Sequence, residues 1–171
     1  MASPVNRDLA RRLRGPAYTF LVATLFFQCF DYAASQRPLQ LGSAVWRFAA
    51  VGTAANIVGN VLLLLLLVLA LALCFSDRPA LILVGSLSTL LAIALLSGTV
   101  FFALDMLQLR GQVTANAIGN FDIASGQALV RLFIEGLIAA LFAGTAFRAH
   151  IATRPDPTAP GVARSPIFRA P

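Results

Sequence analysis

Apolar residues in this chain gather into four long blocks separated by short polar breaks. Each block is long enough to cross a bilayer, whose hydrocarbon core of about 30 Å needs about 20 apolar residues in helix. The first runs from Pro16 to about Ala34 and the second from about Phe48 to Phe75. The third runs from Pro79 to about Leu107, and the fourth from about Ile123 to Phe147. The first block is the weakest, because it carries Gln28 and Asp31, whereas Val61–Leu73 reads VLLLLLLVLALAL. The pattern predicts an all-α membrane protein, a four-transmembrane-helix bundle.

The breaks are written in turn and cap residues. Pro16 and Pro79 stand where a first helical position tolerates proline, which has no amide to lose. Ser76-Asp77-Arg78-Pro79 supplies a cap and a stop between the second and third spans. Residues 1–15 predict a short cytoplasmic interfacial helix, capped by Ser3 and started by Pro4. Val5, Leu9 and Leu13 line one face of it among Arg residues. Gly15-Pro16 is expected to break the chain before the first span. The stretches Leu39–Trp46 and Val113–Phe121 read either as short interfacial helices or as extensions of the spans. From about residue 152 to 171 the chain is rich in Pro and Arg with little to bury, so a disordered tail is expected.

Composition removes the soluble alternatives. Hydrophobic residues make up 58% of the chain and charged ones 12%, against about 25% charged in an ordinary soluble domain. Mean hydropathy is +0.82. Thirteen Arg against seven acids give a net charge of +6. These cations sit at chain ends and loop edges, where anionic lipid head groups are their natural partners. There is no polar domain to carry a nucleic-acid function. Orientation follows the same cations. With the N-terminus inside, nine Arg face the cytoplasm, and only Arg37, Arg47, Arg110 and Arg131 face outward. Both termini are therefore expected in the cytoplasm, with the spans in a plasma or bacterial inner membrane. The Arg-rich start and Ala33-Ala34-Ser35 fit a cleaved signal peptide in part. The apolar stretch is long for one, however, and Asp31 and Tyr32 sit just before the small residues, so an uncleaved anchor is expected.

Spans one and three both close on Phe-Phe followed by Asp, at Phe26-Phe27 with Asp31 and at Phe101-Phe102 with Asp105. Each following span opens on Arg-x4-Gly, at Arg47–Gly52 and Arg131–Gly136. Duplication and shared composition both account for this echo.

Polar side chains inside the spans are few and lie mostly toward the outer side. If the fourth core begins near Ala128, Glu135 lies about 10 Å deep, with Arg131 one turn above it. Asn60 and Asn56 occupy the matching depths in the second span, while Asp105, Asp31, Gln28 and Arg47 stand at the same outer boundary. An ionised carboxylate in lipid costs at least about 2.5–3.5 kcal/mol. Glu135 must therefore be paired or turned inward, with Arg131 as nearest partner and Arg47 as the cross-helix option. One reading of this cluster is a polar clamp that sets helix register. The other is an outward-facing cavity for a small solute, ion or lipid head group. Gly136, Ala140 and Gly144, and Ala55-x3-Gly59, form small-residue stripes that favour close helix packing. Trp46 marks the outer interface.

The chemistry that is missing narrows the function. His150 is the only histidine and lies at the inner end of the fourth span, so neither bis-histidyl haem nor a Ser-His or Cys-His pair in the outer zone is available. Cys29 and Cys74 are expected at opposite membrane faces, too far apart for a disulfide or a shared zinc. There is no Walker loop, GxGxxG or HExxH. Asp31 and Asp105 form a nominal carboxylate dyad, but at a wet boundary beside Arg residues and without a flanking motif. No catalytic residue, metal or cofactor is expected. The expected function is that of a scaffold, assembly factor or accessory subunit, as a homo-oligomer or within a larger membrane complex. The alternative is a small carrier or channel built on Glu135, Arg131, Asn56, Asn60, Arg47, Asp105 and Asp31.

Overall fold

A computed structural model describes the backbone of residues 4–153 and the side chains of residues 14–153. It is all-helical: α1 (Pro4–Ser35), α2 (Ala44–Cys74), α3 (Arg78–Arg110) and α4 (Ile118–Ala152). Each helix contains a segment long and apolar enough to cross a membrane, and in α1 that segment is Arg14–Ser35. The chain is thus a multi-pass membrane protein. The apolar face expected from Val5, Leu9 and Leu13, and the tail beyond residue 153, lie outside the described residues.

Helix boundaries extend past the apolar blocks. Ser43 caps α2, its hydroxyl accepting from the Trp46 amide at 3.3 Å. The end of the Leu39–Trp46 stretch is therefore an extension of the span, as is the part of Val113–Phe121 from Ile118 onward. Pro79 sits in the first turn of α3, as expected. Asp77 is the N-cap by position, yet it makes no side-chain cap bond. Its carboxylate binds Arg14 of α1 instead.

The break expected at Gly15-Pro16 is absent, because α1 runs through Pro16 without interruption. Proline inside a helix leaves the carbonyl four residues back without its donor. Opening the helix at the edge of the bilayer would free several more backbone groups where few partners exist. One lost bond is the smaller cost. Thr19 adds a hydroxyl bond to the Gly15 carbonyl at 3.1 Å, just past the defect.

Helices α2, α3 and α4 pack against one another, and α1 has close backbone neighbours on α2 alone. The expected bundle is therefore a three-helix core with a fourth helix at its side. Core positions on α2 step alternately by three and four residues, through Ala55, Val58, Leu62, Leu65, Leu69 and Ala72. Leu132, Gly136, Ala139, Ala143 and Ala146 continue that rhythm on α4. This spacing averages 3.5 residues and keeps one seam facing its neighbours along the whole helix.

The α3–α4 hairpin is the closest-packed pair. A methyl group at Gly85 would come within 3.0 Å of the Phe147 ring, and one at Gly136 within 3.0 Å of Leu96. Eleven residues separate the two contacts on each helix, so the antiparallel register holds between them. The stripe expected through Gly136, Ala140 and Gly144 holds only at Gly136, since Ala140 is exposed and Gly144 faces open space. Both Cys29 and Cys74 are free and exposed.

Candidate functional site

Helices α2, α3 and α4 all reach one end of the molecule, where residues 36–43 lead from α1 into α2 and residues 111–117 join α3 to α4, and the ion pairs among these three helices lie in that half. Each pair of core helices is tied there once by charged or amide side chains. Arg110 of α3 binds Asp122 of α4 at 2.8 Å, largely in the open. Arg47 of α2 grips Asp105 of α3 in bidentate fashion, at 2.6 and 3.0 Å, and also donates to the Leu41 carbonyl at 2.9 Å. Arg131 of α4 donates to the Asn56 side chain of α2 at 3.2 Å.

Glu135 is buried, and Arg131 one turn earlier donates to its Oε1 at 3.0 Å. The nearer of the two expected partners is therefore the one used. Arg47 is occupied by Asp105, because the first turn of α2 lies beside the last turns of α3. The pair rests on Gly59: a Cβ there would stand 3.3 Å from Arg131 Nη2 and 3.5 Å from Glu135 Oε1. Glycine at this position lets the guanidinium and carboxylate lie against the α2 backbone. The other carboxylate oxygen, Oε2, is buried without a hydrogen-bond partner among the described residues.

Other candidates fall outside the cluster. Asn60 follows Gly59 and so shares the height of Glu135, but its side chain is exposed. A step of four residues advances about 40° around the helix, which carries Asn60 past the α2–α4 seam that Asn56 borders. Asp31 is exposed on α1, which has no close backbone neighbour on α3 or α4. The nominal dyad with Asp105 is therefore not assembled. Gln28 is half-buried on α1, with its Oε1 buried and without a partner among the described residues, beside an apolar gap between α1, α2 and α3. Trp46 is half-buried in the first turn of α2.

Several features escape a reading of spacing. Phe48, Phe102 and Phe121 come from three helices and stack, with centroids 4.6 Å apart for Phe48–Phe102 and 5.4 Å for Phe48–Phe121. Between this stack and the Arg131–Glu135 pair, α2 and α4 stand apart around a cleft of about 450 Å³. Ser125 is 2% exposed in its wall, and the hydroxyl has no partner among the described residues. At the opposite end of the molecule, Arg14 binds Asp77 and lies 6.0 Å from the Tyr18 ring centre and 5.8 Å from that of Phe75. A polar tie at that end is contrary to the one-sided polarity expected. The signal for it was an Arg at the head of one span and an Asp in a turn, 63 positions apart.

Among the described residues, no three His, Cys, Asp or Glu side chains gather to hold a metal ion. The chain matches no protein-family model, and neither a curated protein nor a solved structure is detectably similar to it.

Proposed function

We propose that this protein is a non-catalytic scaffold or accessory subunit of a cell-membrane complex, with both termini in the cytoplasm and α1 as the face that meets its partner. One observation carries this reading. The span of α1 is the least apolar of the four, with a mean hydropathy of 1.2 against 3.0, 2.3 and 1.8 for the others. It is also the least covered, since Leu21 is its only buried residue among the described side chains. A span with Gln28 and Asp31 gains least from lipid contact, so it is the one expected to face inward in a self-sufficient bundle. Exposure of this helix is what an incomplete assembly leaves. Its outer face presents Phe20, Phe26, Phe27 and Phe30, large side chains with well-shaped surfaces for packing. The nine-to-four distribution of Arg supports the orientation.

The carrier reading has less support. Arg131 and Glu135 spend their charge on each other, and the half nearer the termini is closed by Val68, Leu69, Ala72, Leu81, Val84 and Ala146.

The test is photo-crosslinking in native membranes, with a benzophenone amino acid at Phe27 on α1 or at Ile93 on the exposed face of α3. Discrete protein adducts from position 27 and lipid adducts from position 93 are expected. Lipid adducts alone from both positions, together with a monomeric mass in native membranes, would overturn the proposal.

A further inference from the structure

The cleft between α2 and α4 has the makings of a binding site, independent of what α1 meets. Its ceiling is the Phe48–Phe121 stack, its back includes Phe102, and its floor is Arg131 where α4 touches α2 at Gly59. Within this apolar frame Ser125 and Arg131 have O–H and N–H groups to spare. The Ser125 hydroxyl is buried in the wall and has no partner among the described residues. Arg131 has five N–H groups. Among the described residues they make one bond to Glu135 and one to Asn56. Gln127 adds an exposed amide at the mouth.

Charge decides what kind of acceptor belongs there. Glu135 already neutralises Arg131, and Asp105 neutralises Arg47 on the far side of the stack. A phosphate or carboxylate would enter with no net positive charge to hold it and would have to shed its water. A carbonyl oxygen accepts the same hydrogen bonds at a far smaller desolvation cost, and the phenyl rings cover the apolar body to which it is attached.

We propose that the α2–α4 cleft binds an uncharged, carbonyl-bearing amphiphile, its oxygen accepting from Ser125 and Arg131 and its apolar part lying against Phe48 and Phe102. Two membrane molecules present this chemistry, an alkyl quinone and a glycerol ester. The structure also supplies the reporter. Trp46 is the only tryptophan and stands two residues from Phe48.

The experiment titrates the detergent-solubilised full chain with decyl-ubiquinone, following Trp46 fluorescence, and repeats the titration after addition of dioleoylglycerol. Thermal midpoints with each compound are measured in parallel. Ser125→Ala removes one donor, and Ala124→Leu narrows the cleft from an exposed position away from every ion pair. Both variants are first required to match the parent in circular dichroism and gel filtration. The expected result is saturable quenching, weakened about three- to tenfold by Ser125→Ala, as loss of one hydrogen bond implies. Ala124→Leu is expected to weaken it as well, and decylbenzene, which lacks a carbonyl, is expected not to compete. Quenching of this kind identifies the quinone. No saturable quenching, with dioleoylglycerol raising the thermal midpoint of the parent but not of Ser125→Ala, identifies the ester. Neither response, or a response that Ser125→Ala leaves unchanged, overturns the proposal.

Discussion

Replacing Gly136 and Gly144 by leucine, one at a time, separates a packed helix face from a pattern of small residues. Both glycines lie on α4 and belong to the same i, i+4, i+8 stripe. At Gly136 an added Cβ meets Leu96 Cδ2 at 3.0 Å, Leu96 Cγ at 3.1 Å and Leu95 Cβ at 3.4 Å. Leu96 is half-exposed and has room to turn aside, whereas Leu95 is core and its Cβ moves only with the backbone of α3. Alanine at 136 therefore sets a helix-propensity gain of about 1 kcal/mol against a small displacement of Leu96, and the net effect is close to zero. Leucine sends three further carbons toward Leu95, and overpacking of that kind costs about 1–3 kcal/mol. Gly144 has nothing within 4 Å of the added Cβ. Leucine there keeps the propensity gain, without a clash, on a surface that lipid wets. Both variants carry the same propensity gain, so the two should differ by about 1–3 kcal/mol, the cost of the clash alone. Thermal unfolding of the purified protein in one detergent measures the gap, with Gly136→Ala as the control for backbone effects. If Gly144→Leu is as damaging as Gly136→Leu, the small-residue stripe sets the interface and the packing described for α3 and α4 is wrong.

Two further outcomes follow from the ion pairs. Glu135→Gln should lower stability by about 1–2 kcal/mol, a figure kept small because Arg131 is half-exposed and screened; adding Arg131→Gln should recover part of it in a double-mutant cycle, and strict additivity would show that the two side chains are not coupled. At the other pair, Asp105 is buried while Arg47 is 36% exposed and has a second acceptor in the Leu41 carbonyl. Removing the cation strands a buried carboxylate, whereas removing the carboxylate leaves a long side chain free to reach the interface. The thermal midpoint should accordingly fall further for Arg47→Gln than for Asp105→Asn, and the reverse order would contradict the burial assigned to Asp105.

The amino-acid sequence alone determined the four spans, because lipid selects for length and apolarity and both are local properties of a window. The Arg131–Glu135 pair was legible for the same reason: residues four positions apart on one helix are neighbours whatever the rest of the fold does. Pairing across helices was not. Arg47 finds Asp105 only because α2 and α3 are adjacent at that end, and the Arg14–Asp77 tie depends on where α1 comes to rest. In water a polar face marks the outside of a helix, but in a bilayer both faces are apolar. The seam through Ala55, Val58 and Leu62 therefore looks no different in sequence from the lipid side. What separates them is shape, the fit of Gly85 to Phe147, Gly136 to Leu96 and Gly59 to the Arg131 guanidinium. Shape complementarity has no signature along one chain. Only the tertiary structure could turn Asn60 away from Glu135, leave Asp31 outside the core and open a cleft beside Ser125.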